Sequence, residues 1–369
     1  MNGDVEVLWA LVAALLLLFA HAGVVMLVEG VTRRRRLLEV SARHLAGAAG
    51  AILGTLVVMM VDLSFLSGAI EDTTSGADRL PITAIASAIL ITSLATAALT
   101  ERATVIAHLV VGLLTGMVLL PAVTAARLED GLFDTISIGA RGFIDTAAVS
   151  FFLISGAMAL TGTMVIGPRL GGRGPDGKVR NIPGKSTPAA AVGALLVAPG
   201  LIGVLTPLGE VWRAAVADAA VHLLIGAAVG ALIGMLIGYA LWGWIRAVAV
   251  IQGSLAGVVA TTGDPFGATL LESVFLAGGG AIVALFVGRS LRNAGIDDPA
   301  GSVAVYGAAA VYGALGVGFS DGSQFLAQLL GVVLTSVGVL IVSGIVFALL
   351  RLLKVLRVSP DIEIVGLDP

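Results

Sequence analysis

The chain has 369 residues, of which 58% are hydrophobic and 12% charged, with a mean hydropathy of +1.05. Soluble globular chains carry roughly one quarter charged residues, so this composition excludes an ordinary soluble core and fits a chain whose solvent is mostly hydrocarbon. A net charge of -3 offers no basic surface for nucleic acid, and the absence of Cys rules out disulfides, thiolate-bound zinc, iron–sulfur clusters and thiol catalysis.

Hydropathy and polar breaks predict eleven transmembrane spans, near 6–29, 45–67, 81–99, 103–125, 143–166, 189–208, 214–240, 243–261, 268–288, 302–320 and 324–352. The first is read as a span and not as a signal peptide, because Asp4 and Glu6 stand where a basic segment would be and no small-residue cleavage site follows. Basic residues fall on the loops after odd-numbered spans. Of the 21 Lys and Arg, only Arg79, Arg127, Arg141 and Arg213 lie on the other side. By the positive-inside rule the N-terminus is outside and the C-terminus cytoplasmic, in a multi-pass protein of the cell membrane.

The polar loop 167–188 divides the chain. Five spans precede it (1–166) and five follow (189–320), starting from opposite sides, which is the arrangement of an inverted repeat. Residues 321–369 add an eleventh span and a cytoplasmic tail. The fold class is therefore all-α integral membrane, with the lipid bilayer as its first partner. In the seventh span Gly226, Gly230, Gly234 and Gly238 share one helical face, which suits close packing within the chain or between subunits. No Gly-rich phosphate loop with Lys, metal-spaced His cluster or nucleophile motif is present, so neither enzyme activity, a metal nor a cofactor is expected.

Several segments resemble the Amt/Mep/Rh ammonium transporter family. Phe19 to Arg34 is similar to the family's first-helix pattern Phe-Met-Gln-Ala-Gly-Phe-Ala-Met-Leu-Glu-Ala-Gly. Ala98-Leu-Thr-Glu-Arg102 resembles the end of the third helix, Ile166-Gly-Pro-Arg169 the end of the fifth, and Gly253 to Gly263 the eighth. The most specific segment, Asp297-Asp-Pro-Ala-Gly-Ser-Val-Ala-Val-Tyr306 through Gly318, resembles the loop and helix of the tenth span, and Arg357 to Asp368 resembles the tail signature. The resemblance covers the whole chain and implies a homotrimer with a narrow pore through each subunit.

The resemblance also implies two pore histidines, which separate a proton from ammonium so that the neutral amine crosses an apolar lumen. Here Tyr306 stands at the second histidine position. The first falls at Leu153 counted from Asp145, or at Phe152 counted back from Gly167. Neither replacement shuttles a proton near neutral pH as imidazole does. Val204 and Ser87 align with the two gating phenylalanines, Leu208 with the vestibule serine, and Arg127 with the cation-recruiting tryptophan. A cation beside Arg127 would be repelled by about 1 kcal/mol at 4 Å in water.

Asp145 matches the family's structural aspartate, with a helix N-cap or structural hydrogen bond weighed against substrate contact. Tyr306 either offers a hydroxyl to a lumen or fills it. His21, His108 and His222 lie away from the pore positions and are read as bonded within the bundle. The expected function is a divergent channel passing a small neutral solute, without electrogenic ammonium uptake. The alternative is a non-conducting sensor or regulatory subunit. The tail at Asp361 to Asp368 raises a cytoplasmic regulator of the PII type as a partner.

Overall fold

The computed structural model describes residues 2–33, 37–61, 82–126, 131–172, 182–205, 212–319 and 321–365. Eleven apolar helices appear among them: α1 (Asn2–Val31), α2 (Leu37–Met60), α3 (Ile82–Leu99), α4 (Val105–Ala126), α5 (Ala148–Ile166), α6 (Thr187–Val204), α7 (Trp212–Trp242), α8 (Ala247–Thr261), α9 (Leu270–Asn293), α10 (Val303–Gly316) and α11 (Gly322–Leu352). A short tail helix, α12 (Pro360–Val365), and a two-residue hairpin, β1 (Ser137–Ile138) and β2 (Arg141–Gly142), complete the described elements.

Local chemistry sets the helix starts. Thr104 accepts from the Ala107 N–H at α4, Ser186 from Ala189 at α6, and Asp321 from Ser323 and Gln324 at α11. Thr269 and Glu272 form a reciprocal capping box at α9. Each satisfies N–H groups that a helix end leaves without internal partners.

Small residues then bring helices together. α1 packs on α6 through Gly23, Gly30 and Gly193, and α2 packs on α4 through Gly50, Gly54, Gly112 and Gly116. The glycine face of α7 meets Gly253 and Gly257 of α8, so the packing it serves is within the chain. Without a hydrophobic force between helices in lipid, such close backbone contact is a main source of association. α3 and α5 are the most enclosed helices, with α5 against α10 at the centre. α11, 31 residues and about 46 Å long, lies along α5 and α10.

The second helix begins before the predicted 45. Glu39 and Arg43, one turn apart and both at most 3% exposed, pair at 3.2 Å. Two charges that neutralise each other in this way are carried into a helix that hydropathy alone starts after them.

Candidate functional site

At the centre, the Phe152 ring of α5 lies on the Tyr306 ring of α10, with centroids 6.1 Å apart and planes inclined by 18°. Phe152 is 0% and Tyr306 2% exposed. The Phe151 ring also lies near Phe152, with centroids 5.4 Å apart and planes tilted by 60°. Both rings project from π-helical turns, Ala148–Leu153 in α5 and Val303–Ala308 in α10. Such turns re-aim side chains within a helix and are frequent at functional positions. Next to the rings the two backbones meet at Gly156 and Gly307. Burial and offset stacking together fix the pair, the stacking adding about 0.5–1.5 kcal/mol beyond the area buried.

Of the residues singled out from the sequence, Phe152 and Tyr306 are thus brought together. Leu153 is 3% exposed and belongs to the same apolar cluster. Ser87 on α3 and Val204 at the end of α6 are half-buried, Val204 packing on that cluster. Leu208 and Arg127 fall outside the described residues. Asp145 is half-buried in the segment before α5. It lies two residues before Ala147, the first helical residue. The π-turn starts later than an α-helical reading of the sequence places it, and the Thr146 carbonyl receives the first N–H groups.

Below the rings, the same two helices are tied by ions. Arg169, three residues past α5, grips Asp297 with Nε to Oδ2 at 2.8 Å and Nη2 to Oδ1 at 3.1 Å. Arg102, 0% exposed, donates to the same carboxylate at 2.9 Å. Arg169 also donates to Glu101 at 3.2 Å, and Glu101 accepts from Arg33 Nε at 2.6 Å. Glu101 sits in the left-handed region at φ +71, a conformation that costs a non-glycine residue stability and that these bonds hold in place. The tail joins the network: Glu363 of α12, 0% exposed, accepts from the Leu170 N–H at 2.6 Å and from Arg357 at 2.8 Å.

This cluster was missed as a site in the sequence. Its members stand in the segments that carry the family resemblance, and the available signal was charge at helix ends on one face of the membrane. Burial alone would raise the Asp297 carboxyl, but bonds and charge from Arg169 and then Arg102 hold it below the ordinary range. Burial lowers Arg102 to about 10. Burial would lower Arg169 too, and its bonds to Asp297 and Glu101 outweigh that and raise it.

Asp298 behaves oppositely. Its oxygens accept from the Ser302 and Val303 N–H groups, both at 2.8 Å, yet burial pushes its pKa up to about 6. An unfolded Asp titrates near 4, so the folded state favours the protonated form. That contribution is full below pH about 4 and fades as pH rises through 6. Between pH 5 and 7 the thermal midpoint is expected to fall further in the wild type than in Asp298→Asn. Parallel midpoint profiles would count against it.

A second polar group lies away from the rings. His44 is 6.2 Å from His21 and 6.1 Å from His108, centroid to centroid. His21 Nδ1 meets Ser93 Oγ at 2.6 Å and His108 Nδ1 meets the Thr104 carbonyl at 2.9 Å. His222 Nδ1 meets Ser273 Oγ at 2.5 Å. His21, His108 and His222 are therefore bonded within the bundle, as the sequence suggests, while His44 was missed because it stands beside charged residues read as loop.

The profile of the Ammonium Transporter Family matches residues 8–369. The chain is 27% identical to "Ammonium transporter Amt1" of Haloferax mediterranei, over 99% of this chain and 77% of that protein. It is 25% identical to "Ammonium transporter Amt2" of Archaeoglobus fulgidus, over 99% and 86%. Its fold is similar to that of a solved structure titled "Sensor Amt Protein" with a TM-score of 0.88 and 21% identity, covering 100% of this chain and 99% of the other. Saccharomyces cerevisiae Mep2 follows at TM-score 0.80 and 15% identity, covering 96% and 88%.

Proposed function

The chain belongs to the Ammonium Transporter Family, a family of membrane transport proteins and not of enzymes, and on that premise we propose that it is a pore-occluded member. It acts as a non-conducting receptor or regulatory subunit on the transporter scaffold. The observation that supports this is the Phe152–Tyr306 stack. The resemblance places two proton-handling imidazoles there, and two apolar ring faces fill the space instead. Neither ring accepts the proton that must leave ammonium before the amine crosses hydrocarbon-like surroundings, where an unpaired charge costs several kcal/mol. The similar fold of a protein titled a sensor Amt is consistent with a receptor role.

The second reading is passage of a small neutral solute such as ammonia, past rings that swing aside. The apolar character of Leu153, Val204 and Val305 favours it. An ammonium pulse onto proteoliposomes separates the three cases. Occlusion gives neither current nor internal alkalinisation above protein-free vesicles, neutral passage gives alkalinisation without current, and a saturable current overturns both.

On the same reading, the halves 1–166 and 189–320 are inverted repeats joined by loop 167–188, with residues 321–369 added outside. The basic face is cytoplasmic and the N-terminus outside. Three copies form the unit that lies in the bilayer. Native mass measurement in lipid nanodiscs is expected to give three times 37.1 kDa of protein, and a monomer in both detergent and lipid would count against it.

A further inference from the structure

Between the end of α1, the start of α6, the segments beside them at 168–172 and 182–184, and α7, α8, α9 and the start of α10, on the face that carries the basic loops, lies a cavity of about 320 Å³. We propose that it is a binding site for a small phosphate-bearing anion. This goes beyond the occlusion of the pore and does not depend on it, because the cavity opens below the ring pair.

The argument rests on a charge balance. Five charged side chains line the cavity: Arg169, Arg246, Arg292, Asp297 and Asp298. Arg169 and Asp297 hold each other. The oxygens of Asp298 are turned to the backbone N–H groups at the start of α10. Arg246 and Arg292 have no ion-pair partner among the described residues, although the exposed Arg292 lies within the field of Asp297 and Asp298, so with both aspartates ionised the three arginines leave the cavity one net positive charge. Arg246 is half-buried and its guanidinium lies 4.7 Å from the centroid of the Trp242 ring, which also lines the wall. That stacking fixes the arginine over an aromatic face and leaves its N–H fork for a ligand.

Two further features select the ligand's chemistry. Arg246 is the N-cap of the 15-residue α8 and its side chain does not cap that helix; the Ala249 N–H donates to the Arg246 carbonyl, and the helix end at Val248 adds partial positive charge to the same wall. Two guanidinium forks with a helix end suit a tetrahedral, multiply charged oxyanion better than a single carboxylate. The volume falls at the lower end of the roughly 300–1,000 Å³ that small-molecule sites occupy. An ammonium ion leaving a pore toward this face would meet the wrong sign of charge.

The test uses the purified full chain in detergent, titrated calorimetrically with inorganic pyrophosphate at low and high salt. One saturable site per chain is expected, weaker at high salt, with Arg246→Gln and Arg292→Gln each lowering affinity about tenfold or more and the double variant abolishing it. Arg351→Gln, on the same face outside the cavity, is expected to bind as wild type. All variants are first matched to wild type in thermal midpoint and assembled mass. Repeating the titration in nanodiscs of phosphatidylcholine and of phosphatidylglycerol distinguishes the source. Pyrophosphate binding that weakens only with the anionic lipid identifies a headgroup as occupant, and binding equal in both identifies a soluble phosphate. No saturable binding in detergent or in phosphatidylcholine, or binding that the two arginine substitutions leave unchanged, overturns the proposal.

Discussion

Replacing both central rings by alanine, Phe152→Ala with Tyr306→Ala, is expected to raise the ammonia permeability of proteoliposomes about tenfold or more, a fall of ~1.4 kcal/mol in the barrier. Each single replacement is expected to change it little. The rings are offset-stacked with centroids 6.1 Å apart and are at most 2% exposed, so removing one leaves the other to fill the space, with the Phe151 ring 5.4 Å from Phe152. Only the double variant opens a continuous apolar gap. Such truncations cost about 3–5 kcal/mol each in soluble cores, so the comparison is made on protein that keeps wild-type assembled mass. A correctly assembled double variant as tight as wild type would place the closure elsewhere, at the flanking Val149 and Val305. Introducing imidazoles instead, Phe152→His with Tyr306→His, is expected to leave the current at background, because Val204 and Ser87 do not restore the ring-lined approach.

What was legible in the sequence follows from the length of apolar runs. Eleven spans are predicted, and among the described residues nine helices are long and apolar enough to cross a membrane while α8 and α10 are shorter apolar helices at the predicted places; a run of about 20 apolar residues needs no tertiary information to be recognised. The ends are less legible. Glu39 and Arg43 read as loop because a charge in hydrocarbon is costly, and only the structure shows that the two neutralise each other one turn apart. That misreading also hid His44 and its neighbours His21 and His108.

The first pore position shows a different limit. Counting from Asp145 reaches Leu153 and counting back from Gly167 reaches Phe152, a disagreement of one residue. α5 is π-helical over Ala148–Leu153, so side-chain direction there does not follow a count along an ideal α-helix, and the structure puts the Phe152 ring against Tyr306. The ionic cluster was visible only as pieces, in Glu101, Arg102, Arg169, Asp297 and Glu363. Its members are separated by up to 262 positions, so the contact that gives them meaning is tertiary.

The crossing of α5 and α10 is expected to be intolerant of a single methyl group on one helix and tolerant of it on the other. A Cβ built on Gly156 would lie 2.2 Å from the Gly307 Cα and 2.3 Å from its N, both backbone atoms that no rotamer can move aside. A Cβ on Gly307 would meet the Gly156 Cα at 3.4 Å, close to ordinary contact. Gly156→Ala must therefore push the helices apart and, with them, the Phe152–Tyr306 stack one turn away. Overpacking costs about 1–3 kcal/mol where side chains can adjust, and a backbone clash belongs at or above the top of that range. Gly307→Ala should cost less than about 1 kcal/mol, helped by the helix preference of Ala over Gly. Thermal unfolding in one detergent reads both. The expected result is a large drop in midpoint for Gly156→Ala and a near wild-type midpoint for Gly307→Ala, and equal drops would show that the two helices can shift to accommodate either methyl.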